Sequence, residues 1–437
     1  MEITRSNPSL ALHASCKSKG TGGPTSQMDF QKITNQLTGA INNFLEAHDD
    51  PKLSVEKLEK VQSKFWTTGL GNQAIFCSDL WNPLKEVVEI LSQNPETKAL
   101  PEKIHVRKKP VIFSTREGLD ITLDLKDTEQ GLIAHSACVN PGGSSINVAR
   151  ALNNFGTPFE LVGLKGYGPR SAAFTKLLEN ESININNLYE INDDIRFYFC
   201  TFVDGKEFWI PSLSPCLSPS EIDKVTTRLL ESCQNNKGET LAVANNPFIG
   251  ASRSYMSEII TKSQEKSHMF VIYDTKLHVV GKDLLDSVLK AGPNMIKPNL
   301  AEFAEIVNVD KDKLRQDKDL IIHLAQELVE KYNLKVVLVS LDKDGALIID
   351  KNRAAYATVP EIKVACTVGA GNTGIASMID RSKKEQFSLK KLSDKHFKHI
   401  LSAFVAGGAA TATKPGTELA TLEEVQDMEK KINVKFV

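Results

Sequence analysis

Met295-Ile296-Lys297-Pro298-Asn299-Leu300-Ala301-Glu302 is the stretch from which the fold is read. A short apolar strand ends at Ile296, and a helix follows with Asn299 well suited to cap it. Glu302 stands three residues after the cap, the spacing of a capping box. The same strand-then-helix rhythm recurs on both sides. Upstream, Leu241-Ala242-Val243 follows a helical stretch, and Phe270-Val271-Ile272-Tyr273 is a second apolar run. Downstream, Val336-Val337-Leu338-Val339 is a third, and helical patterns at 254–265 and 320–332 lie between them. Such alternation predicts βαβ units, a mainly parallel sheet and helices on both of its faces.

Further out, Val111-Ile112-Phe113 reads as a short strand. Ile121, Leu123 and Leu125 alternate with polar residues, as in a half-buried strand. Arg196-Phe197-Tyr198-Phe199-Cys200-Thr201-Phe202 is strongly strand-like, and Asp204-Gly205 supplies a hairpin turn into Glu207-Phe208-Trp209-Ile210. From Met28 to about Asn94 the texture is helical. Ile33, Leu37, Ile41 and Leu45, then Leu53, Leu58, Val61 and Phe65, then Leu84, Val87, Val88 and Leu91 recur at helix spacing. No metal, nucleophile or phosphate motif falls there. Residues 1–28 read as a disordered leader, with an organelle transit peptide as the other reading. The expected organisation is therefore a leader (1–28), a helical extension with linker (29–105) and an α/β domain (106–437).

Across the 437 residues, 53 Lys plus Arg face 54 Asp plus Glu, a net charge of −1. That balance argues against nucleic acid held by bulk charge. No run approaches the roughly 18 apolar residues of a membrane span. The seven cysteines (Cys16, Cys77, Cys138, Cys200, Cys216, Cys233, Cys366) include no C-x-x-C pair, which points to free thiols in a reducing, cytoplasmic setting.

Three stretches could carry chemistry. Val368-Gly369-Ala370-Gly371-Asn372-Thr373-Gly374 lies between a short strand expected at 362–365 and a helix beginning near Asn372. A helix start with small residues can hold a phosphate on free N–H groups; the plain alternative is a turn whose glycines serve packing. Pro141-Gly142-Gly143-Ser144-Ser145-Ile146-Asn147 offers a close-approach floor, with Asn147 as donor and acceptor for a small polar ligand, or else a cap at Ser144 or Ser145. In the opening stretch, Asn299 and Glu302 either form the capping box or organise Mg²⁺ and its waters. No P-loop is present, and Gly163, Gly166 and Gly168 have the wrong spacing for a dinucleotide fingerprint.

Taken in order, these stretches resemble the PfkB (ribokinase-like) carbohydrate kinases over residues 111–425, with the 1-phosphofructokinase and tagatose-6-phosphate kinase branch as the nearest subgroup. Asp120-Ile121-Thr122-Leu123 resembles the family's first strand. Gly142-Gly143 through Leu152 resembles its first signature, and Thr367 to Gly371 its second. Ile272-Tyr273-Asp274-Thr275, the N-x-x-E element at Asn299 and Glu302, and Val339 through Ala346 resemble the segments between. The tail from Ala406 to Thr417 also fits. The resemblance implies a three-layer αβα sandwich with a small β lid (121–137 and 195–211). It implies transfer of the ATP γ-phosphoryl to a sugar or sugar-phosphate hydroxyl, with Mg²⁺. Asp120, Gly142, Gly143 and Asn147 would hold the sugar. Gly369, Ala370 and Gly371 would form the anion hole, and Ser340, Gly345, Gly369 and Gly371 would meet the nucleotide. Asn299 and Glu302 would serve the metal through water.

Three positions depart from the pattern. Family members carry a general-base Asp after G-A-G, where this chain has Asn372, and an amide cannot take the hydroxyl proton. Ser144-Ser145 replaces the Lys-Gly that meets the sugar phosphate in the nearest subgroup, so Lys165 or Arg170 is either a substitute contact or a solvated loop charge. Ala244-Asn245-Asn246-Pro247-Phe248-Ile249-Gly250 is an eroded form of a small-residue stretch. Two functions compete: a sugar kinase, slowed by Asn372, and a catalytically inactive binding or regulatory module whose N-terminal helices reach a protein partner. A homodimer through the lid is expected on either, from an open sheet edge near residues 197–202.

Overall fold

The computed structural model describes residues 108–128, 131–203, 206–244, 247–275 and 282–437. The expected leader and helical extension lie outside the described residues, as do the Asp204-Gly205 turn and Asn245-Asn246.

The chain begins with β1 (Val111–Ser114), then a long hairpin, β2 (Gly118–Thr128) and β3 (Gly131–Gly142). Next come α1 (Ser144–Asn154), β4 (Glu160–Gly166), α2 (Pro169–Asn180) and β5 (Leu188–Ile191), then a second hairpin, β6 (Arg196–Val203) and β7 (Lys206–Pro211). The alternating run follows: α3 (Pro219–Asn235), β8 (Thr240–Ala244), α4 (Tyr255–Ser267), β9 (Phe270–Asp274), α5 (Lys282–Lys290) and β10 (Met295–Lys297). After it stand α6 (Leu300–Val307), α7 (Lys311–Gln316), α8 (Lys318–Lys331) and the meander β11 (Val336–Ser340), β12 (Ala346–Ile349) and β13 (Ala354–Ala357). The chain closes with α9 (Ala370–Lys384), α10 (Asp394–Ala412), α11 (Leu422–Glu429) and β14 (Val434–Phe436).

Ten strands form one sheet in the order β14-β13-β12-β11-β10-β9-β8-β1-β4-β5. From β11 to β5 every pairing is parallel, and β12, β13 and β14 add an antiparallel flank. The apolar runs show why both faces are covered. Val111 and Phe113 enter one hydrophobic layer and Ile112 the other; Leu241 and Val243 divide from Ala242 in the same way, and Val337 and Val339 from Leu338. A strand buried on both sides needs no polar alternation, so it reads as a continuous apolar run. The result is the expected ribokinase-like three-layer sandwich.

The lid is a separate sheet of four strands, β3-β2-β6-β7, spanning 118–142 and 196–211, somewhat wider than expected. Asp120 thus belongs to the lid, not to the first strand of the main sheet. Cross-strand partners Val139, Ile121, Phe199 and Ile210 share one lid face, and the neighbouring row Asn140, Asp120, Tyr198 and Pro211 shares the other. The open edge expected near residues 197–202 is not there: β6 is paired on both sides, by β2 and β7.

Two local expectations are also corrected. Residues 362–365 form no strand, because the Ala365 and Cys366 amides bond to the carbonyl of Ala412 at the end of α10. Helix α1 is capped by neither serine. Gly143 (φ 114°) is the cap, and the Ser145 hydroxyl instead donates to the Phe113 carbonyl at 2.7 Å, tying α1 to β1.

Candidate active site

Helix α9 opens at Gly369, whose φ of 79° lies in the left-handed region. A Cβ there would fall 2.6 Å from Leu419, so space as well as backbone angle calls for glycine. The Thr373 amide donates to the Gly369 carbonyl at 2.8 Å and so is not a free donor of this helix start. Ala370 N–H donates to Thr367. The N–H groups of Gly371 and Asn372 make no hydrogen bond with described residues and are the free donors of this terminus. Gly374 and Gly407 let α9 lie close on α10: a Cβ on Gly374 would meet Phe404 at 2.6 Å.

Beneath that terminus stands a buried ion pair. Lys297, at the end of β10, holds Asp274, at the end of the adjacent β9, at 2.9 Å, with side-chain exposures of 5% and 1%. Burial lowers the Lys297 pKa, but Asp274 and Glu302 outweigh it and keep the ammonium above its ordinary value. Asn372 Nδ2 donates to the other oxygen of Asp274 at 3.2 Å. A Cβ on Gly371 would sit 3.3 Å from Lys297 Nζ, so the cation lies directly against the glycine turn. The capping-box reading holds. The Asn299 side chain accepts from Glu302 N–H at 2.8 Å, and Glu302 Oε2 accepts from Asn299 N–H at 2.9 Å and from the Thr275 hydroxyl at 3.0 Å. With those oxygens engaged, and no cluster of three or more His, Cys, Asp or Glu suited to a metal among the described residues, the donor set fits Mg²⁺ held through water and phosphate oxygens, not a protein cage.

At the base of the lid, the Asp120 carboxylate covers Gly142, where an added Cβ would fall 2.1 Å from it. Burial raises the Asp120 pKa to about 6 against the opposing pull of Arg196 and Arg150. The next residue, Gly143, leads into α1, where the Asn147 side-chain oxygen is buried without a hydrogen-bond partner. A buried acceptor left without a partner is rare. Asn147 Nδ2 lies 3.9 Å from where a Gly369 Cβ would be, which puts Asn147 beside the glycine turn. Ser340 pairs with Asn299 across a β-bridge and so borders the same region. Gly345 has a structural reason of its own: φ is 97° and a Cβ would collide with the Ala357 carbonyl at 1.9 Å, in the turn joining β11 to β12. Lys165 and Arg170 are held by Glu190 and Asp194, at 3.4 and 3.0 Å.

Sequence reading gave no role to Asp274, Lys297, Arg116, Glu117 or Arg196. The carboxylate that makes a buried Lys297 tolerable is 23 positions away on another strand, so only the register joins them. Glu117 is fully buried, its pKa raised to about 7 by desolvation, and accepts from Leu164 N–H at 2.8 Å beside a cavity of about 10 Å³, room for one water.

The pfkB family carbohydrate kinase model matches residues 118–424, from the first lid strand into α11. This chain belongs to that family. A 1-phosphofructokinase of Borreliella burgdorferi is 28% identical over 316 residues, covering 71% of this chain and 92% of that protein. The ATP-dependent 6-phosphofructokinase isozyme 2 of Escherichia coli is 25% identical over 288 residues, 65% of this chain and 86% of the relative. Among solved structures, phosphofructokinase-2 from Escherichia coli in complex with substrates and products has a TM-score of 0.63 at 23% identity, covering 74% of this chain and 99% of that one. Ribokinase from Thermotoga maritima has 0.56 at 16%, with the same coverages. At such identities the structural likeness speaks for the fold. Among the described residues no helix is long and apolar enough to cross a membrane.

Proposed function

We propose that this pfkB-family chain transfers the γ-phosphoryl group of ATP to a hydroxyl of a sugar phosphate. The observation that carries the reading is the pair of free N–H groups at Gly371 and Asn372, set against the Lys297 ammonium and adjoining the orphan acceptor of Asn147. Phosphoryl transfer depends mainly on positioning and on charge stabilisation, and donors fixed at a helix start serve both. In this reading Asp120 and Asn147 hold the sugar over Gly142 and Gly143. Gly369, Ala370 and Gly371 receive the transferring anion, Ser340 and Gly345 border the nucleotide, and Asn299 and Glu302 steady the water around Mg²⁺, which would neutralise phosphate charge. Both relatives bear phosphofructokinase names, which favours a phosphorylated acceptor.

Asn372 stands where the resemblance places the general base. Its amide takes no proton, so the acceptor hydroxyl is not deprotonated by residue 372 and turnover is slow. Asn372→Asp tests this: phosphorylation of a hexose phosphate should rise by about 10²–10⁴-fold. The second reading, a catalytically inactive binding module, is favoured by the Asn372 amide being already engaged with Asp274. It wins if the variant gains nothing across hexoses and hexose phosphates while the unmodified protein still binds Mg–ATP in calorimetry. No Mg–ATP binding at all removes the kinase reading.

The proposal extends to a homodimer through the outward lid face, where Val139, Phe208 and Ile210 are exposed. Cys138, Cys200, Cys216, Cys233 and Cys366 form no disulfide among the described residues, which suits a cytoplasmic setting.

A further inference from the structure

The lid joins the main sheet at four crossings: residues 115–117 into β2, Gly143 out of β3, 192–195 into β6 and 212–218 out of β7. Three of the four meet around the small cavity beside Glu117. Thr115 and Glu117 come from the first, Ile195 from the third, and Ser214 and Leu217 from the fourth, with Leu164 of β4 on the main-sheet side. The Glu117 carboxyl is thus held between the two sheets. It accepts from Leu164 N–H at 2.8 Å, and Gly163 leaves it room, since a Cβ there would fall 2.1 Å from Oε1.

The strap that carries Glu117 also touches the residues around Asp120. Gly118, next in the chain, pairs with Gly142 on one side and with Arg196 on the other. The Arg196 side chain lies across Gly118, and the Arg116 carbonyl stands 2.5 Å from where a Gly143 Cβ would be. That same carbonyl accepts from Arg196 Nη2 at 3.2 Å. Arg196 therefore serves two carboxyls: it is the leading cation for Asp120, ahead of Arg150, and it pulls on Glu117 as well. Its guanidinium also rests on the Tyr198 ring. Of the other charged groups near the root, Arg116 shares the strap, Arg150 is held by Glu181, Arg170 by Asp194 and Lys165 by Glu190, and Asp193 is exposed. Residues 212–218 and 248–249 carry no charge, and the Cys216 thiol is exposed.

A neutral carboxyl suits this place and a carboxylate does not. Burial pushes the Glu117 pKa up to about 7, against the pull of backbone N–H groups and Arg196. An ionised carboxylate needs water or several donors, and the cavity has room for one water. Hydrating it further requires the crossings to part, which draws the strap and Arg196 away from Gly142-Gly143. A loosened root ionises Glu117 near the ordinary value of 4.5 and a closed root near 7, so loosening gains over this window and keeps its gain above it.

We propose that Glu117 is a positioning residue: its proton keeps the lid root closed on Gly142-Gly143, and loss of that proton loosens the root and weakens the hold on the acceptor. The effect on the acceptor rests on the sugar-phosphate reading above; the loosening does not.

Hydrogen–deuterium exchange of the full-length protein, corrected for the intrinsic pH dependence of amide exchange, tests the root without a ligand. The variant is Glu117→Gln, which keeps the shape without the charge. The ratio of wild-type to variant exchange at residues 118–128 and 196–203 should rise about tenfold or more between pH 5 and pH 8. Those residues should also exchange faster than 270–274 in β9, which open with the whole domain. A ratio that stays within about twofold overturns the proposal, as do lid strands that open only together with β9. Should the variant fail to fold, the wild type decides alone, and unchanged lid protection from pH 5 to pH 8 overturns it. Calorimetry at pH 8 then reads the acceptor. Glu117→Gln should bind fructose 6-phosphate about threefold or more tighter than wild type and Mg–ATP within about twofold, a gain that mere damage to the fold does not give. Equal or weaker fructose 6-phosphate binding overturns the positioning role. A lid-selective change with no fructose 6-phosphate binding by either protein supports the loosening and overturns the sugar-phosphate reading.

Discussion

Asn372 keeps its amide nitrogen 3.2 Å from one oxygen of Asp274, while Lys297 holds the other. An aspartate at 372 would face that carboxylate as a like charge, which raises the pKa of the pair, with Lys297 opposing. The activity gained by Asn372→Asp should therefore climb with pH, with a midpoint above the ordinary carboxylate value of about 4, in a pH–rate profile. Glu117 gives a second prediction. Its pKa is raised from 4.5 to about 7 and that of Asp120 from 3.8 to about 6, both by burial. The native state thus binds more protons than the unfolded chain across this window. The contribution is fully present below about pH 4 and is lost as pH rises through the folded values. Glu117→Gln should accordingly be more stable than wild type at pH 8, by up to about 3 kcal/mol, with the gap closing near pH 4. Urea unfolding at the two pH values measures it, and a variant weaker at pH 8 contradicts it.

The capping box at the start of α6 fastens the helix, and the proposed site role of the same pair can be separated from it. Asn299→Ala should cost about 1 kcal/mol of stability through the lost cap, whereas Asn299→Asp keeps an acceptor for Glu302 N–H and should cost little. If Asn299 only caps, both variants bind Mg–ATP as before. If it also orders water around the metal, Asn299→Ala should raise the Mg²⁺ concentration needed for half-maximal nucleotide binding. The α9–α10 contact has a different origin. Gly374→Ala would drive a Cβ to 2.6 Å from the Phe404 ring and 2.8 Å from its carbonyl, so backbone must move. Thermal melting should show a loss of about 1–3 kcal/mol, and the N-terminus of α9 should shift with it.

For the molecule as a whole, the proposed dimer would form through the outward lid face. Ile210 is 57% exposed and Phe208 48%, in adjoining rows of one face. Contiguous exposed apolar rows of this kind favour burial against a second copy. Light scattering should report a dimer, and Phe208→Glu with Ile210→Lys should give a monomer. A wild-type monomer at tens of micromolar, a rough concentration set by ordinary dimer affinities, would sink the proposal. The same measurement separates this face from the β6 edge, which the second hairpin closes.

The sequence by itself determined the layers, the parallel order and the family, because runs such as Val336-Val337-Leu338-Val339 and the N-x-x-E box depend on neighbours a few residues away. It also marked Asp120, Asn147 and the glycine turn at 369–371 as candidates. Only the tertiary structure decided which of those groups are free. It spent the Thr373 amide on Gly369, left Gly371 and Asn372 open, gave Gly345 a turn to close, and paired Lys165 and Arg170 with acids. It also set Lys297 beside Asp274, and Arg196 on the Arg116 carbonyl. The physical reason is that a charge or a donor is defined by what lies within about 4 Å of it. For these residues that neighbour comes from another strand, and strand register is settled by the whole core.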